Sequence, residues 1–165
     1  MKFEELPLAN PLQRAVRAVG YETPTPIQER SIPSLLEGKD LLGIAQTGTG
    51  KTAAFALPIL QRLLDSGKFR SPKTCRALIL LPTRELAIQV EDCFKQYAQF
   101  TAISTTCIFG GVGDAPQKRN LIRGVDVLVA TPGPLEMLPA VHLRLDIIHN
   151  TIHEVLLRTL SVSRN

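Results

Sequence analysis

The segment Ala45-Gln46-Thr47-Gly48-Thr49-Gly50-Lys51-Thr52 has residue types and spacing suited to holding a nucleoside triphosphate. Glycine tolerates the dihedrals that turn successive backbone N–H groups toward phosphate oxygens. A helix opening at Lys51 adds the partial positive charge of its N-terminus. Lys51 is then placed to reach the β- and γ-phosphates, and the Thr52 hydroxyl to hold Mg²⁺. Ala45 stands where the general motif has its first glycine, so the match is the A-x-x-x-x-G-K-T variant. A glycine-rich turn without ligand is the plainer alternative. The strand-like run before the loop and the helical run after it argue for the phosphate site.

Upstream lies Gly20-Tyr21-Glu22-Thr23-Pro24-Thr25-Pro26-Ile27-Gln28. A glutamine amide can pair bidentately with adenine N6 and N7, and the two prolines would stiffen the loop presenting it. Taken alone, a glutamine at position 28 is more often a surface residue. Thr83 and Arg84 follow an apolar strand and precede a helix, where an N-terminus favours phosphate, although a helix-start salt bridge would explain Arg84 as well. Two further candidates are weak. Asp146 follows Leu143-Arg144-Leu145 and could imitate a Mg²⁺-holding aspartate, but Ile147 stands where glutamate would be expected. His149 and His153 have zinc-compatible helical spacing without the glutamate of the metalloprotease motif, so they read as a surface helix.

These residues need a scaffold, and the chain alternates helical and strand patterns in the manner of a doubly wound parallel α/β sheet. Leu12, Val16 and Val19 recur at helical spacing before Gly20; Pro26 opens a second helix that Gly38 closes. The pattern predicts strands over 40–45, 77–81, 103–109 and 125–130, and helices over 51–64 and 85–100. Leu86, Val90, Cys93, Phe94 and Tyr97 are expected to form the inner face of the latter helix. Ligands should sit at the strands' carboxyl ends. From Asp146 to Leu160 a helix is expected.

With 165 residues and 44% hydrophobic residues, one globular domain with a real core is expected. No run reaches the roughly 18 apolar residues that suggest a membrane span. Cys75, Cys93 and Cys107 are widely spaced and odd in number, which implies reduced thiols and a cytoplasmic protein. The net charge of +4 is compatible with a polyanionic partner. Lys68, Arg70, Lys73 and Arg76 form one basic cluster, and Lys118, Arg119 and Arg123 another; solvated loop and helix faces are the plainer explanation for both.

In this order the motifs resemble those of the DEAD-box RNA helicases. The aromatic upstream of the Q motif is Phe3, and the Q motif itself ends at Gln28. Motif I is Ala45 to Thr52, motif Ia is Pro82-Thr83-Arg84-Glu85-Leu86-Ala87, the glycine doublet is Gly110-Gly111, and motif Ib begins Thr131-Pro132-Gly133. The resemblance implies a RecA-like P-loop NTPase fold, a three-layer α/β/α arrangement around a parallel sheet, incomplete at its C-terminal end. It implies ATP and Mg²⁺ as cofactors. It assigns ATP binding to Phe3, Gln28, Gln46, Thr47, Gly48, Thr49, Gly50, Lys51 and Thr52, with Thr52 on the metal. It assigns contacts with the RNA backbone to Thr83, Arg84, Gly111 and Thr131. Such contacts read no bases, so RNA binding should tolerate any sequence and weaken with salt.

The resemblance ends after Gly133. Pro134 replaces the arginine of motif Ib, and no Asp-Glu-Ala-Asp occurs in the 165 residues. The chain therefore divides into a Q-motif segment (1–39), a partial ATP-binding core (40–133) and a divergent tail (134–165). The expectation is an ATP- and RNA-binding part of a helicase without turnover of its own. A non-catalytic nucleotide- or RNA-binding module is the alternative. A third alternative is another P-loop enzyme, a GTPase or small-molecule kinase; the GTPase fits poorly, because Asp40-Leu41-Leu42-Gly43 carries the D-x-x-G pattern on the wrong side of the phosphate loop.

Overall fold

The computed structural model of the chain describes residues 1–43, 48–109, 115–135, 147–152 and 156–160. After a short 3-10 turn at Phe3–Glu5 come helices α1 (Asn10–Ala18) and α2 (Pro26–Leu36), then strand β1 (Leu42–Gly43). Helix α3 (Lys51–Asp65), β2 (Cys75–Leu80), α4 (Arg84–Ala98) and β3 (Thr105–Ile108) follow. The chain continues through α5 (Ala115–Arg123), β4 (Val125–Ala130) and the short α6 (Pro132–Leu135) to β5 (Ile147–Ile152) and β6 (Leu156–Leu160).

The sheet has the order β1-β6-β5-β2-β4-β3. Strands β5, β2, β4 and β3 run parallel, while β6 pairs antiparallel with both β5 and β1. β1 therefore points the same way as the parallel strands, and all their carboxyl ends share one edge. β2 and β4 are central and buried nearly throughout, as a strand covered on both faces must be. Ala77, Ile79, Val127, Val129 and Cys107 face a large core built with α1 to α4. Leu78, Leu128 and Ile108 face the opposite side, where Leu121 of α5 covers them. Helices on both faces make the expected three layers.

Local signals place the helix ends. Gly20 and Gly38 adopt φ of +80° and +81° just beyond α1 and α2, a conformation that favours glycine. Pro26 is the first residue of α2, and the Thr25 N–H ahead of it donates to Gln28 Oε1 at 2.9 Å.

Three expectations are corrected. The helix expected over 146–160 is replaced, among the described residues, by β5 and β6, so His149 lies on a strand rather than on a helix face. These two strands stand between β1 and β2 in the sheet. Val90, Phe94 and Tyr97 of α4 face the core with Ala87 and Ala98, and Cys93 packs half-buried beside them, but Leu86 is exposed, one residue off the buried stripe. Arg76 is not part of a solvated cluster. It lies in β2 with its side chain 8% exposed, and its Nη1 donates to Asp126 Oδ1 at 2.9 Å. The parallel register pairs Cys75 with Val125, which sets Arg76 beside Asp126. Arg76 Nη2 also donates to the Leu63 carbonyl at 2.7 Å, and the Ser104 N–H donates to Asp126 Oδ2 at 2.9 Å. This buried pair ties α3, β2, β3 and β4 together at the edge opposite the strands' carboxyl ends.

Candidate nucleotide and nucleic-acid site

At the carboxyl edge, Gly48, Thr49 and Gly50 lead into the N-terminus of α3, which Lys51 and Thr52 open, both half-buried. Gly48 and Gly50 have φ of +77° and +81°, the left-handed region that bends the loop back on itself. Among the described residues, none comes within 4 Å of where a Gly48 side chain would begin. At Gly50 a Cβ would collide with Gln28 Nε2. The loop thus needs glycine at position 50 for both its dihedrals and the close approach of Gln28.

That approach links two motifs. Gln28 is 3% exposed, and its Nε2 donates to the Gly50 carbonyl at 3.0 Å while its Oε1 accepts from Thr25. The Thr25 hydroxyl donates to the Thr49 carbonyl at 2.8 Å. The N-terminal turn of α2 is therefore fastened to the phosphate loop by two hydrogen bonds. One N–H and one lone pair of the Gln28 amide are left by these bonds.

Phe3 is a core residue here. It is 2% exposed, and its ring stacks on Tyr21 at a centroid distance of 5.7 Å. Its carbonyl accepts from Gln13 Nε2 at 2.9 Å, and its N–H donates to the Glu22 carbonyl at 3.1 Å. Tyr21 in turn shares a hydrogen bond of 3.2 Å with the Tyr97 hydroxyl on α4. Burial first, and then the Tyr21 hydroxyl, push the Tyr97 phenol above its ordinary range, so it stays protonated. The chain around the Q motif is thereby anchored to the helix that begins at Arg84.

Thr83 caps α4, its hydroxyl accepting from the Leu86 N–H at 3.3 Å. Thr83 and Arg84 are both exposed. The Arg84 guanidinium lies over the Phe109 ring, with its carbon 4.5 Å from the centroid. Thr131 follows β4 and is half-buried, and its N–H donates to the Ile108 carbonyl at 3.1 Å. The phosphate loop, Thr83, Arg84 and Thr131 thus stand at the same edge of one sheet. Gln46, Thr47, Gly111 and Asp146 lie outside the described residues, as does His153. Sequence reasoning missed Phe109; only its place just before Gly110-Gly111 could have drawn attention to it.

The chain matches the DEAD/DEAH box helicase family over residues 25–155. It is 50% identical over 135 residues to "Probable ATP-dependent RNA helicase ddx27" of Dictyostelium discoideum, a match covering 81% of this chain and 17% of that protein. Human "Probable ATP-dependent RNA helicase DDX27" is 47% identical over 135 residues, covering 82% of this chain and 17% of its own length. "ATP-dependent rRNA helicase RRP3" of Meyerozyma guilliermondii is 47% identical over 131 residues, covering 79% of this chain and 26% of that protein. The chain therefore spans only about a fifth of the relatives it matches.

Proposed function

This chain belongs to the DEAD/DEAH box helicase family, and from that premise we propose that it supplies the ATP site and part of the RNA-backbone surface of an ATP-dependent RNA helicase. The observation that carries this reading is the fastening of Gln28 and Thr25 to Gly50 and Thr49. A base reader and a phosphate loop locked together can sense one ligand that has both a base and phosphates. Adenine is read by what remains of the Gln28 amide, and Phe3 serves the site by pinning Tyr21 and the loop that follows.

For the phosphates, the residues fit. The turned backbone at Gly48 and Gly50 and the α3 N-terminus favour an anion, and the motif assigns Gln46, Thr47 and Lys51 to the same phosphates. Thr52 offers one oxygen to Mg²⁺, which when bound would neutralise phosphate charge. No group of three or more His, Cys, Asp or Glu able to hold a metal occurs among the described residues. RNA phosphates meet Thr83, Arg84, Gly111 and Thr131, without reading bases.

The segment 1–39 serves as the Q-motif lead, 40–133 as the core, and 134–165 as a tail that adds β5 and β6 to the sheet. Among the described residues no helix is long and apolar enough to cross a membrane. Three cysteines without a disulfide suit the cytoplasm. A second reading, a binding module without turnover, is favoured by one fact: the 165 residues contain no Asp-Glu pair to hold Mg²⁺ and orient water.

Calorimetry with ATP, ADP, GTP and GDP tests the proposal. Adenine nucleotides should bind more tightly, and Gln28→Ala should erase that preference, since a lost buried hydrogen bond costs about 1–3 kcal/mol. Lys51→Ala should weaken every nucleotide alike. Equal affinity of the unmodified chain for adenine and guanine nucleotides would contradict the assignment.

A further inference from the structure

An exposed arginine at a helix start has many rotamers open to it and loses that freedom when it binds. Arg84 is such a residue by position, yet it rests on the face of Phe109. Phe109 follows β3 directly and is half-buried against the main core, so the fold holds the ring in place. Among the described residues no carboxylate forms an ion pair with Arg84. A guanidinium lying on a ring uses its flat face, while its N–H donors radiate around the edge and stay available.

We propose that Phe109 is a positioning residue for RNA binding, a pre-formed platform that holds Arg84 in a phosphate-ready rotamer at the sheet's carboxyl edge. The inference rests on the RNA-backbone reading above. The ring reduces the freedom Arg84 must give up when a phosphate arrives beside Thr83 and Thr131. It also leaves the in-plane donors for the phosphate oxygens, which a salt bridge to a carboxylate would consume. Lysine at position 84 would lack the planar surface that stacks. The aromatic face is the requirement, so tyrosine should replace Phe109 and leucine should not.

The test uses the 165-residue chain and a fluorescein-labelled oligouridylate, with affinity read by anisotropy at low salt, where phosphate contacts are strongest. Arg84→Ala should weaken binding about tenfold or more, as expected for a lost charged hydrogen bond. Phe109→Leu should weaken it about two- to fivefold, the size of an exposed cation–π contact. Phe109→Tyr should bind like the unmodified chain, and Phe109→Leu should have no further effect in an Arg84→Ala background. In NMR spectra the Arg84 Nε–H should be shifted upfield by the ring, stay so at RNA saturation, and lose the shift in Phe109→Leu.

The failures separate. If the unmodified chain binds no RNA, or Arg84→Ala binds as well as it does, the RNA-backbone reading falls and takes this inference with it. If Arg84→Ala weakens binding but Phe109→Leu does not, or is additive with it, Arg84 binds RNA without the platform and the inference alone is overturned. Loss of the upfield shift on RNA binding would show that the ring stores Arg84 away from RNA, and would also refute the proposal. That measurement needs no variant and decides the matter even if Phe109→Leu fails to fold.

Discussion

Substituting alanine at each of the two described loop glycines should separate backbone strain from the Gln28 contact. Both have positive φ, +77° at Gly48 and +81° at Gly50. An alanine in that region costs about 1–2 kcal/mol whatever surrounds it. At Gly48 no described residue lies within 4 Å of the added carbon, so the backbone strain is the expected loss. At Gly50 the carbon displaces Gln28 Nε2, whose bond to the Gly50 carbonyl is then broken in a residue only 3% exposed. A buried bond of that kind adds about 1–3 kcal/mol, for a total of about 2–5 kcal/mol. In a chain of this size the thermal midpoint should fall by roughly 10 °C for Gly50→Ala and about 5 °C for Gly48→Ala. Circular dichroism melts of both variants, and of each combined with Gln28→Ala, provide the measurement. Because Gln28→Ala already removes the bond, Gly50→Ala should then cost only its backbone share, leaving about 1–3 kcal/mol of non-additivity. Equal losses for the two glycine variants, or strict additivity with Gln28→Ala, would refute the coupling between the Q-motif turn and the phosphate loop.

Asp126→Ala should destabilise the protein by about 3–5 kcal/mol, seen as a lower urea midpoint, because it leaves the buried Arg76 cation without its main partner; a loss under about 1 kcal/mol would mean that water reaches the pair. Burial, assisted by Glu91, pushes the Cys107 thiol up from 9.0 to about 12. The unfolded chain then releases this proton first as pH rises, so the Cys107 contribution is constant below about pH 9 and lost progressively from there to about pH 12; a Cys107→Ala variant should show less of that alkaline decline, and an identical pH profile would remove Cys107 as its source. Purified residues 1–165 should release no phosphate from ATP above the Lys51→Ala control, with or without RNA, since Thr52 has no Asp-Glu pair opposite it in this sequence. Turnover near roughly 1 s⁻¹ that Lys51→Ala abolishes would show that other residues supply the missing groups.

What the sequence by itself determined is local. The phosphate loop is legible because its expected ligands fall within eight successive residues between a strand and a helix, Ala45 to Thr52. Pro26, Gly20 and Gly38 mark helix ends because each acts through its own backbone dihedrals. The buried strands expected at 77–81 and 125–130 are legible as apolar runs and match Cys75–Leu80 and Val125–Ala130, and the order of motifs carries the family resemblance.

Tertiary structure alone decided what depends on which elements become neighbours. Arg76 read as one more surface cation until the β2–β4 register set it beside Asp126, fifty residues away. The sequence leaves Gln28 as an adenine reader or a surface residue; only the docking of α2 against the start of α3 shows its amide reaching Gly50. Nothing in the pattern distinguished Leu86 from Ala87 as the residue facing the core, because that turns on how α4 is rotated against the sheet. The tail looked helical from its spacing, yet β5 and β6 complete hydrogen-bond ladders with β2 and β1. Periodicity reports which residues want burial; it carries no information about the partner that buries them, and a backbone hydrogen bond to a distant strand leaves no mark on the side chains that would announce it.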